Sequence, residues 1–263
     1  MLVETALAEA FGTKAYVVSG AHQNDCVIVD PGIRAAAGID RIVRDNGLNP
    51  TAVLLTHGHL DHTHDAPRVC DTYGVPAYIH DADLPFLADP FSGLGSFAPQ
   101  FEAAVGPGWE WTLPHTVRHL RDGDRLDLAG VPIRVDHAPG HTPGSVLFTL
   151  EETDEHQPCL VGDVVYAGTI GTTLMPGGDR LTTLRSIRDR ILTRPDETVL
   201  LTAHKQDTTV GREREANPFF RQAVDLPPEP WERIDPQETD APGAPTNPTA
   251  HPRTTRGTGA THE

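Results

Sequence analysis

Between Thr56 and His62 the chain reads Thr-His-Gly-His-Leu-Asp-His, which sets His57, His59, Asp61 and His62 almost side by side. Imidazole nitrogens combined with a carboxylate suit Zn²⁺, Fe²⁺ or Mn²⁺, and ligands that alternate along an extended turn can address two ions instead of one. A lone His-X-His would be weak evidence for a metal. The full pattern directly after the apolar run Ala52-Val53-Leu54-Leu55 is far more specific, because it puts the ligands where a buried strand gives way to a loop.

Three further positions repeat that placement. His141 sits in Ala138-Pro139-Gly140-His141-Thr142-Pro143-Gly144, a Gly/Pro-constrained turn between two predicted strands. Asp163 follows Cys159–Val161 through Gly162, and His204 follows Thr198–Thr202 through Ala203. Loops at the carboxyl ends of strands converge on one edge of a layered α/β structure, so these distant residues can share one site. Seven N/O ligands suffice for two ions, and a water between two ions about 3.5–4 Å apart loses a proton near neutral pH. The chemistry this points to is metal-assisted hydrolysis. His64 and His80 lie near the motif without ligand spacing, and His115 and His119 read as structural or solvated.

The elements that must position these residues can be read in order. Residues 14–19 and 25–30 predict an opening hairpin, 33–46 a helix ended by Gly47, 52–56 a strand, 64–73 a helix and 76–80 a short strand. Residues 84–115 interleave five prolines with Phe86, Phe91, Phe97, Phe101, Trp109 and Trp111. They read as a long aromatic loop, either a lid or a simple cover over the sheet. Strands follow at 125–128, 131–137, 145–150 and 159–161, then a helix over 181–192 and a last strand at 198–202.

The remaining composition sets bounds. The chain has 263 residues, 38% hydrophobic, enough to bury a substantial core. Its formal net charge of −16, with no basic patch, argues against a nucleic-acid partner. The three cysteines, Cys26, Cys70 and Cys159, are scattered and read as reduced core thiols. The first residues lack the basic and apolar regions of a signal peptide, and no segment reaches the roughly 18 apolar residues of a membrane span. The expectation is a soluble, cytoplasmic protein acting on a small molecule. Eight of the 24 prolines fall in 227–263, where large apolar residues are few, so the domain is expected to span 1–226 and the rest to be a disordered tail.

Taken jointly, Thr56–His62, Pro139–Gly144, Gly162-Asp163-Val164-Val165-Tyr166-Ala167-Gly168, Pro176-Gly177-Gly178-Asp179 and Thr208-Thr209-Val210-Gly211-Arg212-Glu213 resemble the metallo-β-lactamase superfamily. Within it they resemble the glyoxalase II-like (hydroxyacylglutathione hydrolase-related) enzymes. The resemblance implies an α/β fold, a four-layer αβ/βα sandwich, and a dinuclear hydrolase of thioesters or related esters. It also implies roles: His57, His59 and His141 on a first ion, Asp61, His62 and His204 on a second, and Asp163 bridging both. The ions would be zinc, with iron or manganese as alternatives, and Asp61 would steer the attacking hydroxide and take up its proton. Thr56 and Thr142 are candidates to orient the ligands, or else plain turn residues, and Tyr166 reads as core packing with a satisfied hydroxyl or as facing the substrate.

Three departures accompany the resemblance. The chain has Ala203-His204-Lys205-Gln206 where the family carries glycines on both sides of the histidine and then proline. Thr172-Thr173-Leu174 stands where an Arg-Thr-Asp run is usual. The helical C-terminal segment that grips glutathione in long glyoxalase II enzymes has no counterpart in this Pro-rich tail, which points to a smaller or different thioester. Other readings stay open: a persulfide dioxygenase holding one Fe²⁺ on His57, His141 and Asp163, a lactone or β-lactam hydrolase, or a non-enzymatic scaffold.

Overall fold

The computed structural model describes residues 1–21, 24–151 and 157–227. The expected tail lies outside the described residues from position 228 onward. In chain order the elements are β1 (Leu2–Leu7), β2 (Lys14–Ser19), β3 (Asp25–Val29), α1 (Ala36–Asp45), β4 (Asn49–Leu54), α2 (Leu60–Thr63), α3 (Ala66–Tyr73), β5 (Ala77–His80), α4 (Leu84–Ala88) and α5 (Ala98–Val105). They continue with β6 (Val117–Leu120), β7 (Arg125–Asp127), β8 (Pro132–His137), β9 (Val146–Leu150), β10 (Cys159–Gly162), α6 (Arg180–Ser186), β11 (Val199–Thr202), β12 (Thr208–Thr209), α7 (Val210–Ala216) and α8 (Pro218–Val224).

Among the described residues the strands form two six-stranded sheets, ordered β1-β2-β3-β4-β5-β6 and β12-β11-β10-β9-β8-β7. Side chains on successive strand residues point to opposite faces, so a strand buried on both sides feeds two cores at once. Ala15, Val17, Cys26, Ile28, Val53 and Ile79 pack against α1 and α3 on the outer face of the first sheet. Their neighbours Tyr16, Val18, Val27, Val29, Leu54 and Tyr78 turn inward to meet Ile133, Val135, Val146, Phe148 and Leu160 of the second sheet. On the far side Leu147, Cys159, Val161 and Leu200 face Leu184, Ile187, Ile191 and Phe220. The order of layers is helix, sheet, sheet, helix, as the resemblance implies. All three cysteines are buried and free, and burial pushes the Cys26 and Cys70 thiols up to about 12.

Two expectations about elements need correction. Strands β1 and β6 were not visible in the sequence, because β1 is mostly open to solvent and β6 carries Arg118 and His119 on exposed positions. Residues 84–115 are not one long loop. Pro85 lies in the first turn of α4 and Pro99 in that of α5, where a missing N–H costs nothing, so these prolines start helices. Phe91, Leu94, Phe97, Phe101 and Trp109 gather there around Leu60, and the Trp111 indole donates to the Leu87 carbonyl. The segment thereby packs onto α2, the turn that carries Asp61 and His62.

Candidate metal centre

Strand β4 ends at Leu54, and the next residues run extended into α2. The His57 Nε2, His59 Nδ1 and His141 Nε2 atoms form a triangle with sides of 3.1, 3.0 and 3.2 Å. A tetrahedral zinc with Zn–N bonds of 2.0–2.1 Å requires nitrogens about 3.3 Å apart. Beside the triangle, His62 Nε2 lies 3.6 Å from Asp61 Oδ2 and 3.3 Å from Asp163 Oδ1. His204 Nε2 lies 3.4 Å from Asp61 Oδ2 and 3.5 Å from Asp163 Oδ1. The other oxygen of Asp163, Oδ2, is 3.5 Å from His141 Nε2, so this carboxylate faces both groups. All seven residues named from the sequence come together.

Whether they fit metal ions is tested by their unused atoms. His62 Nε2 and Asp163 Oδ1 are fully buried, face each other and have no hydrogen-bond partner, an arrangement that costs free energy unless something else engages them. Four of the five histidines have Nδ1 engaged away from the cluster. His141 Nδ1 lies 2.8 Å from the Thr172 carbonyl, His204 Nδ1 3.2 Å from the Phe11 carbonyl and His62 Nδ1 2.9 Å from Asp30 Oδ2. His57 Nδ1 lies 3.1 Å from Thr56 Oγ1, which itself donates to Asp30 Oδ2 at 2.6 Å. With Nδ1 as donor, each Nε2 turns a lone pair toward the centre, the state a metal needs. His59 reverses the roles, aiming Nδ1 inward while its ring stacks at 6.0 Å on Phe86. The donor set fits two ions.

The charges divide the cluster. Burial, then the neighbouring histidines, hold His57 well below its ordinary value, and burial followed by the His141 charge takes His59 down to about 3. Burial alone would also lower His62, but the charges of Asp61, Asp163 and Asp30 outweigh it and raise the imidazole well above its ordinary value. Burial works against ionised Asp163 too, yet the His62 and His204 charges win and hold its carboxyl far down. Asp61 is lowered by the same contest between burial and His62.

Sequence reasoning missed several residues that hold this geometry. Asp30 was read only as the end of a strand. Asp83 is fully buried, and its carboxylate accepts from Gly58 N–H at 2.8 Å, Thr142 Oγ1 at 2.7 Å and Gly144 N–H at 2.6 Å, tying the His57–His59 turn to the His141 turn. Thr13 Oγ1 donates to Asp61 Oδ2 at 3.2 Å. Thr56 and Thr142 do act on the ligand loops, while His115 and His119 form exposed pairs with Asp71 and Asp81. Tyr166 is half-buried at the centre: burial followed by the Asp163 charge raises its pKa, and its ring meets His204 edge-on at 5.4 Å. The His141 turn depends on Gly140, at φ +134°, where a Cβ would come within 2.3 Å of Thr183 N and Oγ1 at the start of α6.

A mixed two-sheet sandwich with a His/Asp cluster at its strand ends defines a metal-binding α/β class. The chain belongs to the metallo-beta-lactamase superfamily, whose family pattern matches residues 8–204. It is 42% identical over 84% of its length to a Mycobacterium tuberculosis protein, Rv2581c, covering 98% of that protein. It is 34% identical over 75% of its length to the hydroxyacylglutathione hydrolase GloC of Haemophilus influenzae, covering 88% of that enzyme. Among solved structures it resembles the B3 metallo-beta-lactamase BLEG-1 (TM-score 0.71, 33% identity, 83% of this chain and 99% of that one). It also resembles TTHA1623 in a di-iron-bound form (TM-score 0.69, 30% identity, 83% of this chain and 100% of that one). No helix among the described residues is long and apolar enough to cross a membrane.

Proposed function

We propose that the protein is a dinuclear, zinc-dependent hydrolase of small thioesters or related esters. The observation that carries this reading is the convergence of Asp61, His62 and His204 on Asp163 beside the three-histidine triangle. A single-iron dioxygenase would use His57, His141 and Asp163 and leave three buried ionisable residues idle, which is costly. The similarity to GloC supports the thioester, and that to TTHA1623 supports two ions.

His57, His59 and His141 would hold one ion, Asp61, His62 and His204 the other, and Asp163 would span both. Bound there, the ions supply Lewis acidity, which brings the pKa of a water near 7 and polarises the acyl carbonyl. Asp61, kept ionised and steadied by the Thr13 hydroxyl, accepts a hydrogen bond from the attacking water and takes its proton. Tyr166, its pKa raised by burial and then by the Asp163 charge, stays protonated and packs its ring edge-on against His204. Phe86 against His59 and the Leu60–Phe101 cluster keep bulk water off the triangle. The leaving thiolate, with an intrinsic pKa of about 8.5, departs without a protein acid.

Elemental analysis of protein purified without added metal, combined with thiol release from a panel of thioesters, tests the reading. About two zinc ions per chain and turnover lost in His57→Ala and Asp163→Ala are expected. One iron per chain, with oxygen consumed on a persulfide substrate, would overturn it.

A further inference from the structure

The chain contains two lysines: Lys205 lies in the turn that carries His204, and Lys14, at the start of β2, packs against that turn. Lys14 is nearly buried and donates to Asp207 Oδ1 at 2.5 Å and to Thr202 Oγ1 at 3.4 Å. The same Asp207 oxygen accepts from the Tyr16 hydroxyl at 3.1 Å and from Thr202 N–H at 3.0 Å. Oδ1 of Asp207 thus takes three donors and Asp207 is paired with Lys14, although it lies only two residues from Lys205. Lys205 itself is exposed. Among the described residues its ammonium makes no ion pair and no hydrogen bond, and it stands 5.9 Å from the centroid of the Tyr166 ring, which meets the His204 ring edge-on at 5.4 Å.

The backbone adds a second observation. Lys205 has φ +61°, a left-handed conformation that suits glycine and is uncommon for a long side chain. A residue held there against its preference is a pointer to function. The side chain lies over Tyr166, while Asp207 pairs with Lys14. In a protein of net charge −16, an anionic substrate is repelled by the surface as a whole and needs a local positive point near the reacting carbonyl.

Building on the hydrolase reading of the cluster, we propose that Lys205, propped on the Tyr166 ring, is the anion-recognition point of the substrate site and selects thioesters that carry a carboxylate or phosphate. Lys205 is a specificity residue and takes no part in bond breaking. Its pairing with a flexible oxyanion is a charge-assisted hydrogen bond made where water is partly excluded by the Tyr166 face.

Non-hydrolysable thioethers test this without relying on turnover. 3-(Ethylthio)propionate, its neutral amide and 2-(ethylthio)ethyl phosphate are titrated by NMR into the metal-loaded wild type, Lys205→Met, Lys205→Gly and Lys205→Arg. The glycine variant suits the left-handed backbone and so guards against a folding defect. The wild type is expected to bind at least one of the two anions about tenfold more tightly than the amide, a preference lost in the Met and Gly variants and largely kept in Arg. Whichever anion loses more affinity identifies the substrate's charged group. Equal binding of anions and amide by the wild type, or a preference that survives Lys205→Met and Lys205→Gly, overturns the proposal. Hydrolysis of S-acetyl-3-mercaptopropionate is followed separately. Anion preference without turnover of any thioester would remove the hydrolase reading and leave the anion point standing.

Discussion

Asp30 Oδ2 lies 2.9 Å from His62 Nδ1, with both side chains buried, and the same oxygen takes the Thr56 hydroxyl at 2.6 Å. One carboxylate oxygen therefore fixes the ring of His62 directly and that of His57 through Thr56. Oδ1 of Asp30 accepts from Thr56 N–H at 2.8 Å, which pins the point where the strand opens into the ligand loop. The Asp30 backbone is left-handed at φ +50°, a region that Asp and Asn enter more readily than other residues with a side chain. The residue serves both sites while touching neither proposed ion.

That relationship predicts the effect of Asp30→Asn. The substitution keeps the shape and tolerates the backbone, but one acceptor oxygen becomes an amide that opposes a donor. His62 or His57 must then rotate or change tautomer. Zinc affinity, measured by chelator competition, should fall about 10- to 100-fold with the fold retained. Wild-type affinity in the variant would show that Asp30 does not orient the imidazoles.

The opposed shifts of His59 and His62 predict how metal capture depends on pH. In the metal-free protein, folded His59 takes a proton only near pH 3, whereas the unfolded chain does so near the ordinary histidine value of about 6.5. The unfolded state binds more protons between those values, so His59 makes stability rise with pH across that window. His62 works the other way. Its raised folded pKa gives a contribution that is complete below about 6.5 and is lost as pH rises through the folded value. At pH 7 His57 and His59 are ready for an ion, while the second group must first release the protons that the raised pKa values of His62 and His204 favour. Calorimetric zinc titration in buffers of different ionisation enthalpy should show more proton release as the second group fills, where His62 and His204 are both raised, than as His57 and His59 take up the first ion. Absence of proton release at both equivalents would contradict this.

The ligands were legible in the sequence because each directly follows an apolar strand, so sequence position and spatial position coincide. What orients them was not. Asp30 meets Thr56 only because β3 and β4 run parallel in a fixed register, with Val29 opposite Leu54. Asp83 reaches Gly58 and Gly144 only because the segment after β5 folds over both loops. Such contacts join residues that are distant along the chain and share no local pattern. The helices α4 and α5 were hidden by a different ambiguity: a proline in the first turn of a helix and a proline in a loop look the same in one sequence. Lys205 was visible as a residue, but its contact with Tyr166 joins two loops that no spacing rule brings together.

Asp83 provides the test of whether the two histidine turns are positioned as a unit. Burial raises its carboxyl pKa even against three donors, so the native state binds a proton more readily than the unfolded chain. By itself this makes stability fall as pH rises from the unfolded value toward the folded one. Removing the carboxylate is nevertheless expected to be damaging, because Asp83→Ala leaves two buried N–H groups and the Thr142 hydroxyl without this acceptor. Unpaired buried donors cost about 1–3 kcal/mol each, so the variant should lose roughly 3–5 kcal/mol. Thermal unfolding should drop by about 2–4 °C for each kcal/mol in a domain of this size. Because the carboxylate joins Gly58 to Thr142 and Gly144, its loss frees His57 and His59 to move apart from His141. Zinc should therefore leave the three-histidine group more readily than the Asp61–His62–His204 group. Equal loss from both groups, or loss from the second group first, would mean that the turns are held by their own backbones and that Asp83 contributes only to stability.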